Sequence, residues 1–570
     1  MASLIGPNQV ASAINATFRM GYASPRPALV EVPFQLGGST HLTSVFQCAI
    51  DYTSDDGRAF ILMLAGGETY LYDPLVQELT QLSSSAAGTS NPSNIRDGWM
   101  EQAENFVVIQ DGISKPLIFD GATLRRAKVD EIKTGKVMRY ANGRIWYALP
   151  QGYSFRATDL VYSDGTRASV LKETENTFLN EGGDFAVPSD SGGITAMAVP
   201  GNLDTSLGQG PLLIFTPRYI FSINAPFDRT TWKNLTYPVQ TVSQVTNGAL
   251  SPKSTVVVNG DVFYRSVDGV RSFIIARRNF GSWGNTPISN EVAPTVESDT
   301  ASQLRWGSAI VVDNRMLMTA SPAYRAKGTI HKSILSLDFD LVTGMREKLP
   351  PAWEGIWTGL DVLQLVRTQT ALGETGYVIS RNSDDDTIRL WQFRPDKMAD
   401  ENVSGTSTDI QWSLVTRAYS FGSPFNLKRL DSGDLYIDRL HGTASFDVKF
   451  RPDQYPGWVD WNSWDECATT TNCVPTNGCI PLKNFQPQYR TKMRLPSTAW
   501  ACNATVNSQM NNLFEAQARI AVTGYCRIKS FRVHGTPVIE PVVGDCRTDS
   551  ACKSLEDCDI DPLSYRITES

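Results

Sequence analysis

Short apolar runs separated by turn signals dominate this chain. Runs rich in β-branched and aromatic residues stand at 59–66 (AFILMLAG), 68–74 (ETYLYDP), 105–112 (NFVVIQDG), 116–121 (PLIFDG), 144–150 (RIWYALP), 211–223 (PLLIFTPRYIFSI) and 261–275 (DVFYRSVDGVRSFII). Others follow at 315–320, 334–340, 376–381 and 386–393. Asp-Gly occurs at 56–57, 97–98, 111–112, 120–121, 164–165 and 268–269, and Asn-Gly at 142–143, 247–248, 259–260 and 477–478. These dipeptides tolerate positive φ and suit tight hairpins whose twist matches the strands. The pattern predicts antiparallel hairpins at short spacing. Helical periodicity is nearly absent, and the two candidates, 7–13 and 94–105, are too short to organise a core.

The hairpins group around residues 65, 112, 145, 215, 265, 325 and 380. That spacing lies near the roughly 40–50 residues of a propeller blade with insertions. A blade cannot bury both faces alone, and radial repetition solves this while limiting exposed edges. The expectation is an all-β fold with a β-propeller-like body of about seven blades over 35–395, preceded by an N-terminal arm at 1–34. A pair of β-sandwiches is the alternative. The polar stretch 396–409 (DKMADENVSGTSTD) reads as a linker. Alternation then returns. SFDVKF puts Phe446, Val448 and Phe450 on one face, and FEAQARIAV puts Phe514, Ala516, Ala518, Ile520 and Val522 on one face. One buried and one wet face predicts a C-terminal antiparallel β-sandwich over 410–540, followed by a cysteine-containing tail at 541–570.

Composition narrows the function classes. The chain has 570 residues, 41% hydrophobic and 19% charged, which argues against disorder and for more than one domain. Its net charge of −7 is the wrong sign for gripping nucleic acid through phosphates. No apolar run reaches the length of a membrane span. The start lacks the basic and apolar regions of a signal peptide.

Catalytic signatures are missing. The four histidines, His41, His331, His441 and His534, are scattered and read as surface or turn residues. There is no GxSxG elbow and no phosphate-binding glycine loop. Asp384, Asp385 and Asp386 form the densest acidic cluster; a solvated turn is the favoured reading over a Ca²⁺ site. Paired carboxylates for glycoside cleavage are not legible in a chain with 59 acids. Trp458, Trp461 and Trp464 invite a sugar-stacking reading, but core and loop packing is favoured. No catalytic residue, cofactor or metal is expected.

Eight of the nine cysteines crowd into the last fifth of the chain: Cys467, Cys473, Cys479, Cys502, Cys526, Cys546, Cys552 and Cys558. The C-x5-C-x5-C spacing occurs twice and fits zinc knuckles poorly. Disulfides are the favoured reading, ahead of free buried thiols and a metal site. Cytoplasmic thiols stay reduced, whereas a particle released to the outside meets oxidising surroundings. Connectivity is not legible.

Three segments together resemble a known kind of protein. NATFRMGYASPRP (15–27) resembles the opening of many phage tail and head-to-tail proteins through Asn15, Arg19, Gly21, Arg26 and Pro27. GDVFYRSVDGVRSF (260–273) resembles a hairpin of the same proteins. TRAYSFGSPFNLKRLDSGDL, FRPDQYPGWVDW and FEAQARIAVTGYCRIKSFRVHG resemble a recurrent end region of phage virion proteins. The nearest family is the propeller-containing tail nozzle or hub proteins of short-tailed phages, also called tubular tail protein B. The resemblance implies a non-enzymatic virion tail protein, assembled in the host cytoplasm. It implies a homo-oligomeric ring, usually a hexamer, below the portal and adaptor proteins, with fibres or spikes outside and genomic DNA passing through without specific binding. The chain is shorter than the large nozzle proteins and has the cysteine-rich end. The alternative is a receptor-binding or polysaccharide-degrading tail protein.

Overall fold

Asn142 and Gly143 take φ of 53° and 71°, and Asn259 and Gly260 take 50° and 83°. Both Asn-Gly pairs therefore form left-handed two-residue corners, joining Met138–Ala141 to Arg144–Ala148 and Val256–Val258 to Asp261–Ser266. The structure is a computed structural model. It describes residues 9–537 except 39, 162–183, 202–210, 236–237, 244–246, 274–286, 341, 344–346, 349–350, 371–372, 423–425, 454–455, 468–479, 482–487, 495–511.

The expected all-β, propeller-like body is present. Four separate four-stranded sheets cover 46–81, 99–126, 138–186 and 196–243, and a three-stranded sheet covers 256–272. Two more blades are fused within a large sheet by the long strand Ala352–Thr370. Its first half pairs with Gly328–Asp338 and completes a sixth blade with Ala309–Val312 and Arg315–Arg325. Its second half pairs with Gly373–Arg381 and opens a seventh blade, which continues to Ile388–Arg394. The outermost strand of that blade is Ala28–Val32, from the other end of the chain.

The core confirms the count. Each interface between neighbouring blades holds its own hydrophobic cluster. Cys48, Leu62 and Leu64 of the first blade meet Val107, Ile109 and Phe119 of the second. Corresponding clusters join the second to third, third to fourth, fourth to fifth, fifth to sixth and sixth to seventh blades. The seventh cluster closes the ring: Val366, Ile379, Leu390 and Val32 pack against Ile61, Met63 and Tyr72 of the first blade.

Beyond residue 410 a strongly bent antiparallel sheet follows. Lys428–Pro452 and Ala516–Pro537 pair along nearly their whole length, with register shifts between Asp438 and Ser445. The sheet there folds over itself, so Leu430, Leu435 and Ile437 from one half share a core with Phe446, Val448 and Phe450 from the other. The alternation read from the sequence holds for Phe446, Val448, Phe450, Ala516, Ala518, Ile520 and Val522. Phe514 departs from it: the residue precedes the strand and is exposed. Trp461 lies between the halves, edge-on to Phe450 and Phe531. A Cβ at Gly433 would sit 2.8 Å from its ring.

Among the described residues neither expected helix exists. Val10–Ile14 and Trp99–Ala103 are strands, because ladder pairing with Gln411–Thr416 and Phe106–Gln110 satisfies their backbone groups. The arm serves both units. Its first strand belongs to the C-terminal sheet and its last to the seventh blade. Part of the 396–409 stretch is a small hairpin, Asp400–Glu401 with Ser407–Thr408, laid against Val30.

Between these strands the arm docks on Ala352–Thr370 through buried polar groups. Asn15, at φ 54°, receives hydrogen bonds at Oδ1 from the Thr358 amide (2.6 Å) and Arg26 Nε (3.3 Å). Its Nδ2 donates to the Gln411 carbonyl at 2.9 Å. Arg26 forms a two-pronged pair with Asp400 at 2.9 and 2.7 Å. The buried Glu354 carboxylate accepts from the Thr17 hydroxyl, the Phe18 amide, Arg315 Nε and the Ser336 hydroxyl. Gly355 takes φ +99°, and a Cβ there would lie 2.2 Å from the Ala13 carbonyl oxygen, so only glycine lets the arm approach.

Removing one partner of a buried ion pair leaves the other uncompensated. Glu354 keeps three other donors, so Arg315→Met should destabilise by about 3 kcal/mol, the lower end of that class. Denaturant unfolding checks this, and a loss below about 0.5 kcal/mol, the level of an indifferent surface change, would refute it. Gly433→Leu overpacks the Trp461 contact and should lower stability by about 1–3 kcal/mol. A shift in tryptophan emission should accompany the loss; unchanged emission and stability would contradict the packing described.

Candidate functional site

The first strand of every blade faces the propeller axis. Together they enclose a bore of about 340 Å³. Its lining includes Ile50 and Asp51 of the first blade, Met100 and Glu101 of the second, Arg139 of the third, Val257 of the fifth, Val311 of the sixth and Arg367 of the seventh. Two carboxylates and two guanidinium groups thus face a narrow space. Arg139 lies 3.7 Å from Glu101, whose Oε1 also accepts from the Tyr140 amide at 2.9 Å. Burial pushes the Glu101 carboxyl up, against the pull of Arg139.

At one end the bore meets a second cavity of about 390 Å³, the mouth. Trp99, Pro252 and Lys253 line both, and Lys253 reaches across. It precedes the fifth blade's first strand, yet its Nζ donates to the Gln47 carbonyl of the first blade at 2.9 Å. The side chain therefore bars the throat from one wall to the other. Burial pulls its ammonium pKa down, while Cys48 and Asp97 oppose this. Cys48 is a buried free thiol pushed up to about 11 by burial.

Trp99, Trp306, Asp97, Asp111, Lys136 and Arg305 complete the mouth. Arg305 lies over the Trp306 ring at 3.9 Å. Asp97 accepts from Trp306 Nε1 at 3.1 Å and stands 3.6 Å from Arg305. Asp111 Oδ1 accepts from the Ile113 and Ser114 amides at 2.9 and 2.7 Å. The size and polar lining suit a small ligand.

The residues singled out from the sequence fall elsewhere. Among the candidate cysteines, Cys526 corrects the disulfide expectation: it is a free thiol, buried in the C-terminal core because its position on Ala516–Pro537 points inward. The backbone of Cys467 ends the strand Val459–Cys467, and its side chain lies outside the described residues. Cys473, Cys479, Cys502, Cys546, Cys552 and Cys558 also lie outside them.

His331 corrects the surface reading. It is fully buried in Gly328–Asp338, and burial pulls it down to about 4. His534 pairs with the buried Asp434 at 2.9 Å, His41 meets Gln35 at 2.6 Å, and His441 packs edge-on to Tyr525. Asp385 and Asp386 sit in a turn held by Arg389, Arg381 and Lys327. Trp461 is core, Trp464 stacks on Phe446, and Arg451 covers Trp458. A register shift between Val448 and Lys449 explains why Trp461 turns inward against simple parity. Among the described residues no cluster of three or more His, Cys, Asp or Glu could hold a metal, and no helix is long and apolar enough to cross a membrane.

The chain matches no family model and no curated protein. Solved structures with some likeness include one described as the crystal structure of the mitotic checkpoint complex, at 8% identity, TM-score 0.37, covering 65% of this chain and 92% of that chain. Streptogramin B lyase matches at 8% identity and TM-score 0.37, covering 64% and 97%. PorZ, a surface component of the type-IX secretion system of Porphyromonas gingivalis, matches at 11% identity and TM-score 0.32, covering 71% and 44%. Likenesses this loose say nothing of function.

The bore carboxylates yield a pH signature. Burial raises Asp51 above its usual 3.8, outweighing Arg367 and Arg139. A folded-state value raised in this way means stability that is present below 3.8 and lost as the pH rises through the raised value. Asp51→Asn should therefore melt above the parent protein near neutral pH, with the gain vanishing below 3.8. Calorimetry across pH checks this, and an Asn variant that melts lower at neutrality would reverse the assignment.

Proposed function

We propose that this chain is a non-enzymatic structural component of a tailed-phage tail. It is a nozzle or hub subunit that assembles with copies of itself, six in number, into a ring. The ring forms part of the DNA exit channel below portal and adaptor proteins and carries fibres or spikes. Its location is the virion tail, after assembly in the host cytoplasm.

One observation carries this reading. Asn15, Arg19 and Arg26, three of the residues on which the tail-protein resemblance rests, help to bind the arm to the body. Asn15 reaches both the propeller at Thr358 and the C-terminal sheet at Gln411. Arg19 pairs with Asp338 and Asp313 of the sixth blade. A part that transmits load through an assembly needs its domains held as one body, and this clasp supplies that.

DNA passes outside the propeller bore. The propeller bore, at about 340 Å³, has the volume of a small-ligand site. A duplex whose major groove alone is about 12 Å wide does not fit it. The exit channel therefore lies between subunits, around the ring's axis. Closing such a ring takes heterologous contacts related by rotation. The net charge of −7 suits a wall that DNA slides past.

The competing reading is a receptor-binding or polysaccharide-degrading tail protein. Burial of Trp461 and the stacking of Trp464 on Phe446 count against the tryptophan stretch as its sugar platform. Electron microscopy of the purified protein and of particles containing it decides between them. Sixfold rings with an axial channel are expected; isolated threefold spikes would overturn the proposal.

A further inference from the structure

The mouth cavity has features that neither the ring nor the fold requires. Its three cationic side chains, Lys136, Lys253 and Arg305, face two carboxylates, Asp97 and Asp111, which leaves one net positive charge in a chain of net −7. Among the described residues neither carboxylate pairs with a lysine. Asp97 takes the Trp306 indole and Arg305, and Asp111 takes two backbone amides. Among the described residues, neither Lys136 nor Lys253 has a carboxylate within ion-pair distance. Burial meanwhile pulls the Lys253 ammonium down, a cost that an incoming anion relieves.

Gly112 lets Trp99 and Lys136 approach each other closely. It takes φ +77°, and a Cβ there would lie 3.3 Å from the Trp99 ring and 3.4 Å from the Lys136 side chain. A half-buried aromatic side chain and an unpaired lysine therefore close in on Gly112, and the open volume is the cavity that they line together. Lys253 forms the floor, because it bars the throat below.

We propose that the mouth of the propeller binds an acidic saccharide, with the apolar face of a sugar-acid ring against Trp99 and its carboxylate at Lys136 and Lys253. A single net positive charge suits a monoanion. A polyphosphate would meet repulsion from Asp97 and Asp111. Asp111 Oδ2, buried without a hydrogen-bond partner, gives a hydroxyl group an acceptor that an aliphatic acid would leave unused. The cavity volume of about 390 Å³ admits one or two rings. This site belongs to a single chain, so it stands or falls independently of the sixfold ring.

The test uses the full chain with sodium glucuronate, glucose and AMP as probes. Saturation-transfer NMR detects contact, and titration calorimetry measures affinity. Glucuronate should bind saturably and at least about tenfold more tightly than glucose or AMP. Lys136→Glu should weaken glucuronate by at least about tenfold without changing the melting temperature. Gly112→Asn, which tolerates the left-handed backbone and pushes Trp99 and Lys136 out of place, should weaken it as well. No saturable glucuronate binding would overturn the proposal. So would glucose or AMP binding as tightly as glucuronate, or undiminished binding by both folded variants.

Discussion

Closure of the ring is the constraint on which the rest of this molecule depends. Each blade is a small sheet with two apolar faces, and a face is buried only if a neighbour covers it. Six of the seven interfaces join blades that follow one another along the chain. The seventh must join the last to the first, and it does so through Val32, Ile379, Leu390, Ile61 and Tyr72 in one cluster. The strand Ala28–Val32 makes this possible by occupying the outer edge of the seventh blade before the chain enters the first. The same strand removes an open edge that would otherwise invite pairing with another chain.

The polar clasp follows from that closure. To reach the seventh blade, the arm must cross the strand Ala352–Thr370, where the sixth and seventh blades are fused. Its backbone meets Gly355, and the Thr17 and Asn15 side chains meet Glu354 and Thr358. Polar groups buried at such a crossing need partners, and Glu354 finds four donors. The bore is the other consequence of closure. Seven inner strands meeting at an axis leave a space too narrow for a macromolecule, and Lys253 divides it.

Much of the fold was legible because it is local. Asn142-Gly143 and Asn259-Gly260 mark corners that only a few residue types can form, and the apolar runs between corners are the strands. Repetition of these hairpins conveyed the blade count. Closure was not legible, because it pairs Ala28–Val32 with Ile388–Arg394, and no local pattern reports a contact across such a separation. Short amphipathic windows also misled: residues 99–103 have an ambiguous period, and tertiary pairing decided for strand. One register shift sufficed to turn Trp461 inward. The mouth was invisible for a related reason. Trp99, Lys136 and Lys253 come from different blades, and each looks ordinary in its own segment. Two of the Asp-Gly pairs, 97–98 and 111–112, line the mouth, but in the sequence they read only as turns.

The placement of residues 10–32 also orders events in time. These residues leave the ribosome early, yet their partners at 388–394 and 411–416 are made several hundred residues later. At about 5–20 residues per second the arm waits on the order of tens of seconds without its sheet. Throughout that interval the first blade is uncovered and the closing strand has no seventh blade to join. Native structure is thus reached late, in a step that joins the two ends of the body. During synthesis the emerging chain depends on protection from its neighbours, because its apolar faces are complete long before their covers arrive.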